Sequence, residues 1–318
     1  MVDRAWRDEG EGVGLMGRTA FLFPGQGAQV VGMGCELIRD RAEARDLFAR
    51  ANDLLGFDLT AICLDGPPEA LNATDVSQPA IFVASLAALE DLKATRPEVV
   101  AACEGAAGLS LGEYTALTFA GALDFEAGLK IVRLRGQAMQ EAALASPSGM
   151  TSVIGLDEAA IDQLCQRLAP YGRLWKANLL GHGNIVVSGE NAALEHLEPI
   201  AAELGASRCV PLTVAGAFHT PLMKPADQRL AAALAEIELR PPRLPVYSNV
   251  DARVHTDPDE IRDLLVRQVI APVRWEESMN AMIADGFDSF IEIGPGRVLA
   301  GLLKRIHRKI PCENIPAR

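Results

Sequence analysis

The chain has 318 residues, of which 49% are hydrophobic and 23% charged, and its formal net charge is −12. This length suffices for one large domain with a smaller one, and the composition is that of an ordinary globular protein. The acidic balance argues against a nucleic-acid partner, and no apolar run reaches the roughly 18 residues that a membrane helix needs.

Residues 1–17 combine several acids with no apolar stretch, so they match neither a secretory signal nor a transit peptide. We expect this extension to be disordered, and Met16 is an alternative start. The six cysteines are scattered without a CxxC pair, which predicts neither a metal site nor a disulfide framework. They are typical of small apolar filling in a reducing cytoplasm, where we place the protein.

The first half of the chain predicts alternating strands and helices. Apolar runs at 19–23 and 104–109 are typical of buried parallel strands, each followed by a glycine-containing turn. Helical spacing covers 33–54 and 78–93, with Pro79 expected in the first turn, where its missing N–H is harmless. A further helix opens at Ser110, and Asp124 is placed to cap the next one, which runs to about residue 145.

The pattern changes between residues 148 and 210. Strands are predicted at 151–155, near Trp175, at 184–188 and near Cys209, with helices at 157–168 and 190–204. This βαββαβ order is that of a ferredoxin-like unit. We therefore expect a small subdomain at 148–210, inserted into a large one made of 18–147 and 211–318.

The rest of the chain returns to alternating elements. A helix after Pro221, a strand near Val246, helices at 260–268 and 275–285, a strand at 289–293 and a final helix from Arg297 are predicted. Such alternation favours a parallel sheet covered on both faces. The expected fold class is α/β, with an α/β-hydrolase-like large subdomain and a ferredoxin-like small one.

Residues 108–112, GLSLG, fit the G-x-S-x-G pattern of a nucleophile elbow. In an elbow a sharp strand-to-helix turn exposes the serine oxygen at a helix N-terminus, where developing negative charge is favoured. The predicted strand before Ser110 and the helix after it fit that context. The alternative is a tight turn whose serine only caps the helix.

A serine nucleophile needs a base, and the chain has five histidines. His196, His255 and His307 lie in polar segments typical of the surface, and His182 lies in a glycine loop. His219 instead ends the small, apolar segment 214–218 and precedes a predicted helix. From its position alone, His219 is either the base or a histidine satisfied within the core.

Arg135 lies on a predicted helix, and the apolar residues around it would bury one face of that helix. Arginines on helices are usually solvated, but a buried one needs an anionic partner. Glu113 and Glu141 are possible internal partners, and a substrate carboxylate is another.

Six segments in order carry a family resemblance. They are FPGQGAQ at 23–29, GLSLGEY at 108–114, RLRG at 133–136, GAFH at 216–219, LVRQ at 265–268 with PVRW at 272–275, and EIGPG at 292–296. Together they resemble the malonyl-CoA:acyl-carrier-protein transacylases over about residues 18–310. Members of that family commonly have histidine where this chain has Leu109, a departure from which we expect no loss of activity.

The resemblance implies catalytic roles. Ser110 would attack the thioester of malonyl-CoA, His219 would act as the base, and the backbone carbonyl of Gln268 would orient His219 in place of an acid. The backbone N–H groups of Gln26 and Leu111 would form the oxyanion hole.

It also implies how substrates bind. Arg135 would hold the malonyl carboxylate, Met139 and Phe218 would line the acyl pocket, and Asn178 would contact the site. The aromatic Phe218 favours malonyl over methylmalonyl. The reaction would be ping-pong transfer to the phosphopantetheine thiol of acyl carrier protein in fatty acid synthesis, without a cofactor or metal, by a monomer.

Carrier protein is acidic, as this chain is, so docking requires a local basic patch. Arg297, Lys304 and Arg305 on the final helix supply one, although cations also accumulate at helix C-termini for dipole reasons. Three other functions stay open. They are a serine esterase or thioesterase, a non-catalytic scaffold with this fold, and a trans-acting acyltransferase of a polyketide synthase.

Overall fold

The computed structural model describes residues 17–318, so the extension expected to be disordered falls almost wholly outside it. In that range the strands are β1 (Arg18–Phe23), β2 (Cys103–Gly108), β3 (Ser148–Ile154), β4 (Leu174–Gly181), β5 (Asn184–Glu190), β6 (Arg208–Pro211), β7 (Val246–Tyr247), β8 (Phe287–Gly294) and β9 (Cys312–Pro316). None of the helices in residues 17–318 combines the length and apolar character that a membrane crossing demands.

The helices of the described chain surround two sheets. They are α1 (Cys35–Asp40), α2 (Ala42–Leu55), α3 (Leu59–Asp65), α4 (Pro68–Asn72), α5 (Thr74–Thr95), α6 (Pro97–Ala101), α7 (Gly112–Phe119), α8 (Phe125–Ala145), α9 (Glu158–Leu168), α10 (Asn191–Leu194), α11 (Leu197–Glu203), α12 (Lys224–Ala235), α13 (Pro258–Gln268), α14 (Trp275–Ala284) and α15 (Val298–Ile306). A single 3-10 turn, Pro221–Met223, precedes α12.

The larger sheet has the order β7-β2-β1-β8-β9, and its strands all run parallel. β1 and β2 end together, because Phe23 lies opposite Gly108 in the register. In open parallel sheets, ligands bind beyond the carboxyl ends of the strands. This edge therefore brings Ser110, the loop after β1 and the turn after β7 to one place.

The smaller sheet is antiparallel, in the order β4-β5-β3-β6, with α9 to α11 packed on it. Its core is separate from that of the parallel sheet and includes Val153, Leu164 and Val187. The βαββαβ order with these neighbours is ferredoxin-like, so the predicted α/β fold class with an inserted ferredoxin-like unit is confirmed.

Two expectations about single helices were wrong, and one strand was missed. The helix predicted at 33–54 is two helices separated at the extended Arg41, which pairs with Asp91 of α5. The helix predicted at 190–204 is also divided, next to His196, whose ring stacks on Tyr171. The strand β9 was not predicted, because a five-residue edge strand that carries Glu and Pro has little apolar signal.

The central helix α5 begins at Thr74, four residues earlier than expected, so Pro79 lies inside it and not in its first turn. A proline there removes the N–H that would donate to the carbonyl of Asp75. Arg133 of α8 donates to that carbonyl from Nη1 and also contacts the Asp75 carboxylate at 3.0 Å. A charged side chain from the neighbouring helix thus replaces the missing backbone donor.

This replacement can be tested by a double-mutant cycle. Arg133→Met should lower the free energy of unfolding by about 1–3 kcal/mol, because a carbonyl loses its charged donor. Pro79→Ala restores an N–H within reach of Asp75, so it should offset part of that loss in the double variant. Denaturant unfolding of the four proteins measures the coupling, and strictly additive effects would contradict this account.

Candidate active site

Ser110 lies on the sharp turn between β2 and α7, with a left-handed backbone angle φ of 54°. A side chain at Gly108 would place its Cβ 1.9 Å from the carbonyl carbon of Gly112, so the turn leaves no room for one. Ser110 itself is only partly buried, which leaves its hydroxyl accessible from the edge of the sheet. These features are those of a nucleophile elbow.

His219 is the histidine that contacts this serine. Its Nε2 lies 2.8 Å from the Ser110 Oγ, and its Nδ1 lies 2.8 Å from the backbone carbonyl of Gln268. Because a carbonyl oxygen only accepts, Nδ1 carries the proton and Nε2 is free to accept one from the hydroxyl. The arrangement can therefore deprotonate Ser110 without an acidic third residue.

Burial and the positive charge of Arg135 lower the pKa of His219 from 6.5 to about 4. The imidazole is therefore neutral at neutral pH, which is the state that a general base requires. The other four histidines lie elsewhere: His182 and His196 are exposed, His255 contacts Asp251 and Glu260, and His307 contacts Asn280.

Arg135 is almost completely buried, at 1% exposure, and its guanidinium reaches the nucleophile. Nη2 donates to Ser110 Oγ at 2.9 Å and to Gln268 Oε1 at 3.0 Å, while Nη1 donates to Gln78 Oε1 at 2.7 Å. Its Nε has no partner among the described residues. Because burial leaves its charge poorly solvated, the pKa of Arg135 is lowered from its ordinary value.

Neither carboxylate considered as an internal partner forms an ion pair with Arg135. Glu141 binds Arg229 at the surface, and Glu113 accepts a hydrogen bond from the Gln268 side chain at 2.6 Å. The Gln268 amide thus stands between the Glu113 carboxyl and the guanidinium. Burial raises the pKa of Glu113 to about 7.

Sequence reasoning missed two buried residues of the site, Gln78 and Asn249. Gln78 lies among apolar residues of α5, and a fully buried amide in such a helix was the available signal. Asn249 follows β7 in a short turn, and no local pattern distinguishes it. Its side chain accepts from the Ser110 N–H at 2.6 Å and donates to the Gly108 carbonyl at 2.8 Å.

The two expected oxyanion donors lie on either side of the serine turn. Leu111 leads into α7, and Gln26 lies in the loop after β1. That loop touches the elbow, since a Cβ on Gly25 would come within 2.2 Å of the Leu109 carbonyl oxygen. Among the described residues, no acceptor takes the backbone N–H of Leu111 or of Gln26.

Met139, Phe218 and Asn178 were also predicted to lie near Ser110. Met139 is buried and contacts Gln78 through its sulfur at 3.6 Å, and Phe218 is buried beside His219. Asn178, in β4, has no hydrogen bond to the groups around Ser110; it pairs in a backbone bridge with Val273.

The basic residues expected to dock a carrier make no hydrogen bond to Ser110. Arg297, Lys304 and Arg305 are exposed at α15, without an ion pair to any described residue.

A family model described as an acyl transferase domain matches residues 20–316. The chain belongs to the acyl transferase family. Within that family it is 42% identical over 296 residues to a malonyl CoA-acyl carrier protein transacylase of Bacillus subtilis (strain 168), covering 93% of this chain and 92% of the relative. The family resemblance carried by the six sequence segments is thereby confirmed.

Solved acyl transferases have the same fold. An acyl-carrier-protein-S-malonyltransferase from Bartonella henselae superposes with a TM-score of 0.90 at 37% identity, over 93% of this chain and 95% of that one. A malonyl-transacylase in complex with a type II polyketide synthase acyl-carrier protein superposes with a TM-score of 0.88 at 39% identity, over 94% of this chain and 95% of that one.

The low pKa of His219 makes a prediction about pH dependence. Only the neutral imidazole accepts the serine proton, so kcat/KM for acylation should stay level as the pH falls through 6.5 and decline toward about 4. Stopped-flow measurement of acylation between these pH values locates the acidic limb of the pH–rate profile. In Arg135→Met, assayed with an uncharged acyl donor, the limb should move to higher pH, because a neighbouring positive charge is gone. An acid limb at the ordinary histidine pKa in the unmodified enzyme would contradict this assignment.

Proposed function

We propose that this protein transfers the malonyl group of malonyl-CoA to the phosphopantetheine thiol of acyl carrier protein through an ester on Ser110. The observation that carries the proposal is the buried guanidinium of Arg135 in direct contact with the Ser110 hydroxyl. A cation held beside a nucleophile, with no carboxylate paired to it, suits an acyl group that ends in a carboxylate. The relatives described above, a malonyl CoA-acyl carrier protein transacylase and an acyl-carrier-protein-S-malonyltransferase, support the same donor and acceptor.

In the first half-reaction, Ser110 Oγ attacks the thioester carbonyl while its proton passes to His219 Nε2. The negative charge on the carbonyl oxygen would be stabilised by the N–H groups of Gln26 and Leu111, which are unoccupied by described acceptors. The C–S bond then breaks, and the imidazolium returns its proton to the sulfur of CoA. The product is a malonyl ester on Ser110 and free CoA.

In the second half-reaction, the phosphopantetheine thiol attacks the same ester. His219 accepts the thiol proton and returns it to Ser110 Oγ as the C–O bond breaks. This step converts the oxygen ester on Ser110 into a thioester, so the two half-reactions together exchange one thioester for another without a cofactor or metal. Gln268 would keep the imidazole oriented in both half-reactions, because its backbone carbonyl accepts a hydrogen bond from Nδ1–H of His219.

Arg135 would select the acyl group. The malonyl carboxylate can take the two N–H groups that now point at Ser110 Oγ and Gln78, which frees the hydroxyl for attack. Met139 and Phe218 are buried near this space, so a methyl branch would meet an already filled wall. A misfit of this size is worth about 1–3 kcal/mol, so we expect a preference for malonyl over methylmalonyl.

A different carrier protein could accept the malonyl group by the same chemistry. One structural relative is a malonyl-transacylase bound to a carrier protein of a type II polyketide synthase, which favours such a carrier as an alternative acceptor to that of fatty acid synthesis. A serine esterase fits less well, because its triad has an acid where this site has the Gln268 carbonyl. We place the reaction in the cytoplasm and expect a monomer.

Intact-mass spectrometry tests the acyl donor. Mixed with malonyl-CoA, the protein should gain one malonyl group, and Ser110→Ala should gain none. Arg135→Ala should lose malonyl loading by about 100-fold or more while retaining acetyl loading, since only the malonyl carboxylate needs the cation. An unmodified protein that is acylated by acetyl-CoA but not by malonyl-CoA would overturn the role of Arg135.

The carrier would dock beside α15. Arg297, at its start, follows a loop in which Gly296 approaches the Ala28 carbonyl of the segment that carries Gln26. Lys304 and Arg305 continue an exposed basic surface along the helix. Local complementarity of this kind can steer an acidic partner toward a chain of net charge −12.

Charge reversal tests this surface. Lys304→Glu with Arg305→Glu should raise KM for the carrier by about threefold or more, because docking loses its attraction, and should leave malonyl-CoA loading unchanged. Lys130→Glu with Arg208→Glu is a control with the same change in net charge at exposed positions of α8 and β6. Equal carrier kinetics in the two double variants would exclude α15 as the docking surface.

A further inference from the structure

Asn249 continues the parallel pairing of β7 with β2 beyond the end of both strands. Ala106 pairs with Val246 and Ala107 with Tyr247, so the same register places residue 249 opposite Leu109. The chain turns away at Ser248, and no backbone of β7 remains there to pair with the elbow. The side-chain amide of Asn249 occupies that place.

The amide makes the two hydrogen bonds that a strand residue opposite Leu109 would make. Its Nδ2 donates to the Gly108 carbonyl at 2.8 Å, and its Oδ1 accepts from the Ser110 N–H at 2.6 Å. On the other side of the elbow, Leu109 N–H donates to the Phe23 carbonyl of β1 at 3.1 Å. The strained serine turn is thus held from both neighbours, by a backbone on one side and a side chain on the other.

Asn249 is itself fixed at every polar group. Its backbone N–H donates to Glu113 Oε2 at 3.1 Å, and its backbone carbonyl accepts from the Arg274 N–H at 2.8 Å. The Glu113 oxygen that binds Asn249 also accepts from Gln268 Nε2 at 2.6 Å. One buried carboxyl therefore ties the residue behind the nucleophile to the residue that orients the base.

We propose that Asn249, anchored by Glu113, is a positioning residue that holds Ser110 in its left-handed conformation and in register with His219. It touches no reacting atom, so it acts through the backbone on each side of Leu109. A serine at φ of 54° has an unfavourable backbone, and such a conformation persists only where its surroundings impose it. The malonyl-loading assay of this inference rests on the proposed function, whereas the inference itself is drawn from the hydrogen bonds of Asn249.

Asn249→Ala removes both hydrogen bonds and leaves the substrate-binding groups Arg135 and Gln78 untouched. We expect kcat for malonyl loading to fall by about 100-fold, as for a displacement of the nucleophile by about 1 Å. KM for malonyl-CoA should stay within about threefold, because ground-state binding is unchanged. Asn184→Ala is the matched control, since Asn184 is a buried asparagine that accepts from Ser152 in the smaller sheet. It should lower stability and leave kcat unchanged.

A second readout does not depend on the acyl donor. A sulfonyl fluoride probe labels an activated serine, and the labelling rate of Ser110 should fall in Asn249→Ala together with kcat. Wild-type rates of labelling and loading in a folded Asn249→Ala protein, judged by circular dichroism, would overturn the inference. If the unsubstituted protein reacts with the probe but not with malonyl-CoA, the proposed function fails, and the labelling contrast still decides the role of Asn249.

Asn249→Asp covers the case in which the alanine variant does not fold. A protonated carboxyl donates from its O–H and accepts at its C=O, which reproduces the asparagine pattern, whereas a carboxylate repels the Gly108 carbonyl. Glu113 faces this position and disfavours a second negative charge there. The labelling rate of the variant relative to wild type should therefore rise as the pH is lowered. A ratio that does not change with pH would refute the positioning role.

Discussion

The site depends on a buried guanidinium that has no carboxylate in direct contact. Arg135 is held by the amide oxygens of Gln78 and Gln268 and by the serine hydroxyl, all of them neutral. Neutral partners keep the cation in place without satisfying its charge, so the anionic acyl group that we propose as substrate would still gain by binding. The same arrangement explains why amides recur around Ser110, where another carboxylate would compete with the substrate.

The fold was largely predictable because its signals are local. Apolar strands followed by glycine turns marked the parallel sheet, and the change of pattern at residue 148 marked the start of the antiparallel one. The division at Arg41, the early start of α5 and the edge strand β9 were not predictable in this way. Each depends on a partner far along the chain, as Arg133 does for the carbonyl left open by Pro79.

The residues of the candidate site also divide into those that a local sequence pattern predicts and those that it does not. Ser110, His219 and Arg135 were predicted as site residues because they lie in distinctive segments, and the structure brings them together within hydrogen-bond distance. Gln78 and Asn249 carry amides in segments without a pattern, and their importance appears only when residues more than fifty positions apart meet.

The low pKa of His219 bears on why an acyl enzyme of this kind would outlive its exposure to water. A histidine with a pKa of about 4 is a weak base, and a weak base assists an attacking group in proportion to the acidity of that group. A thiol, with a pKa of roughly 8.5, gives up its proton far more readily than water, with a pKa of roughly 15.7. A thiol would therefore take the acyl group from Ser110 more readily than water would, which favours transfer over hydrolysis.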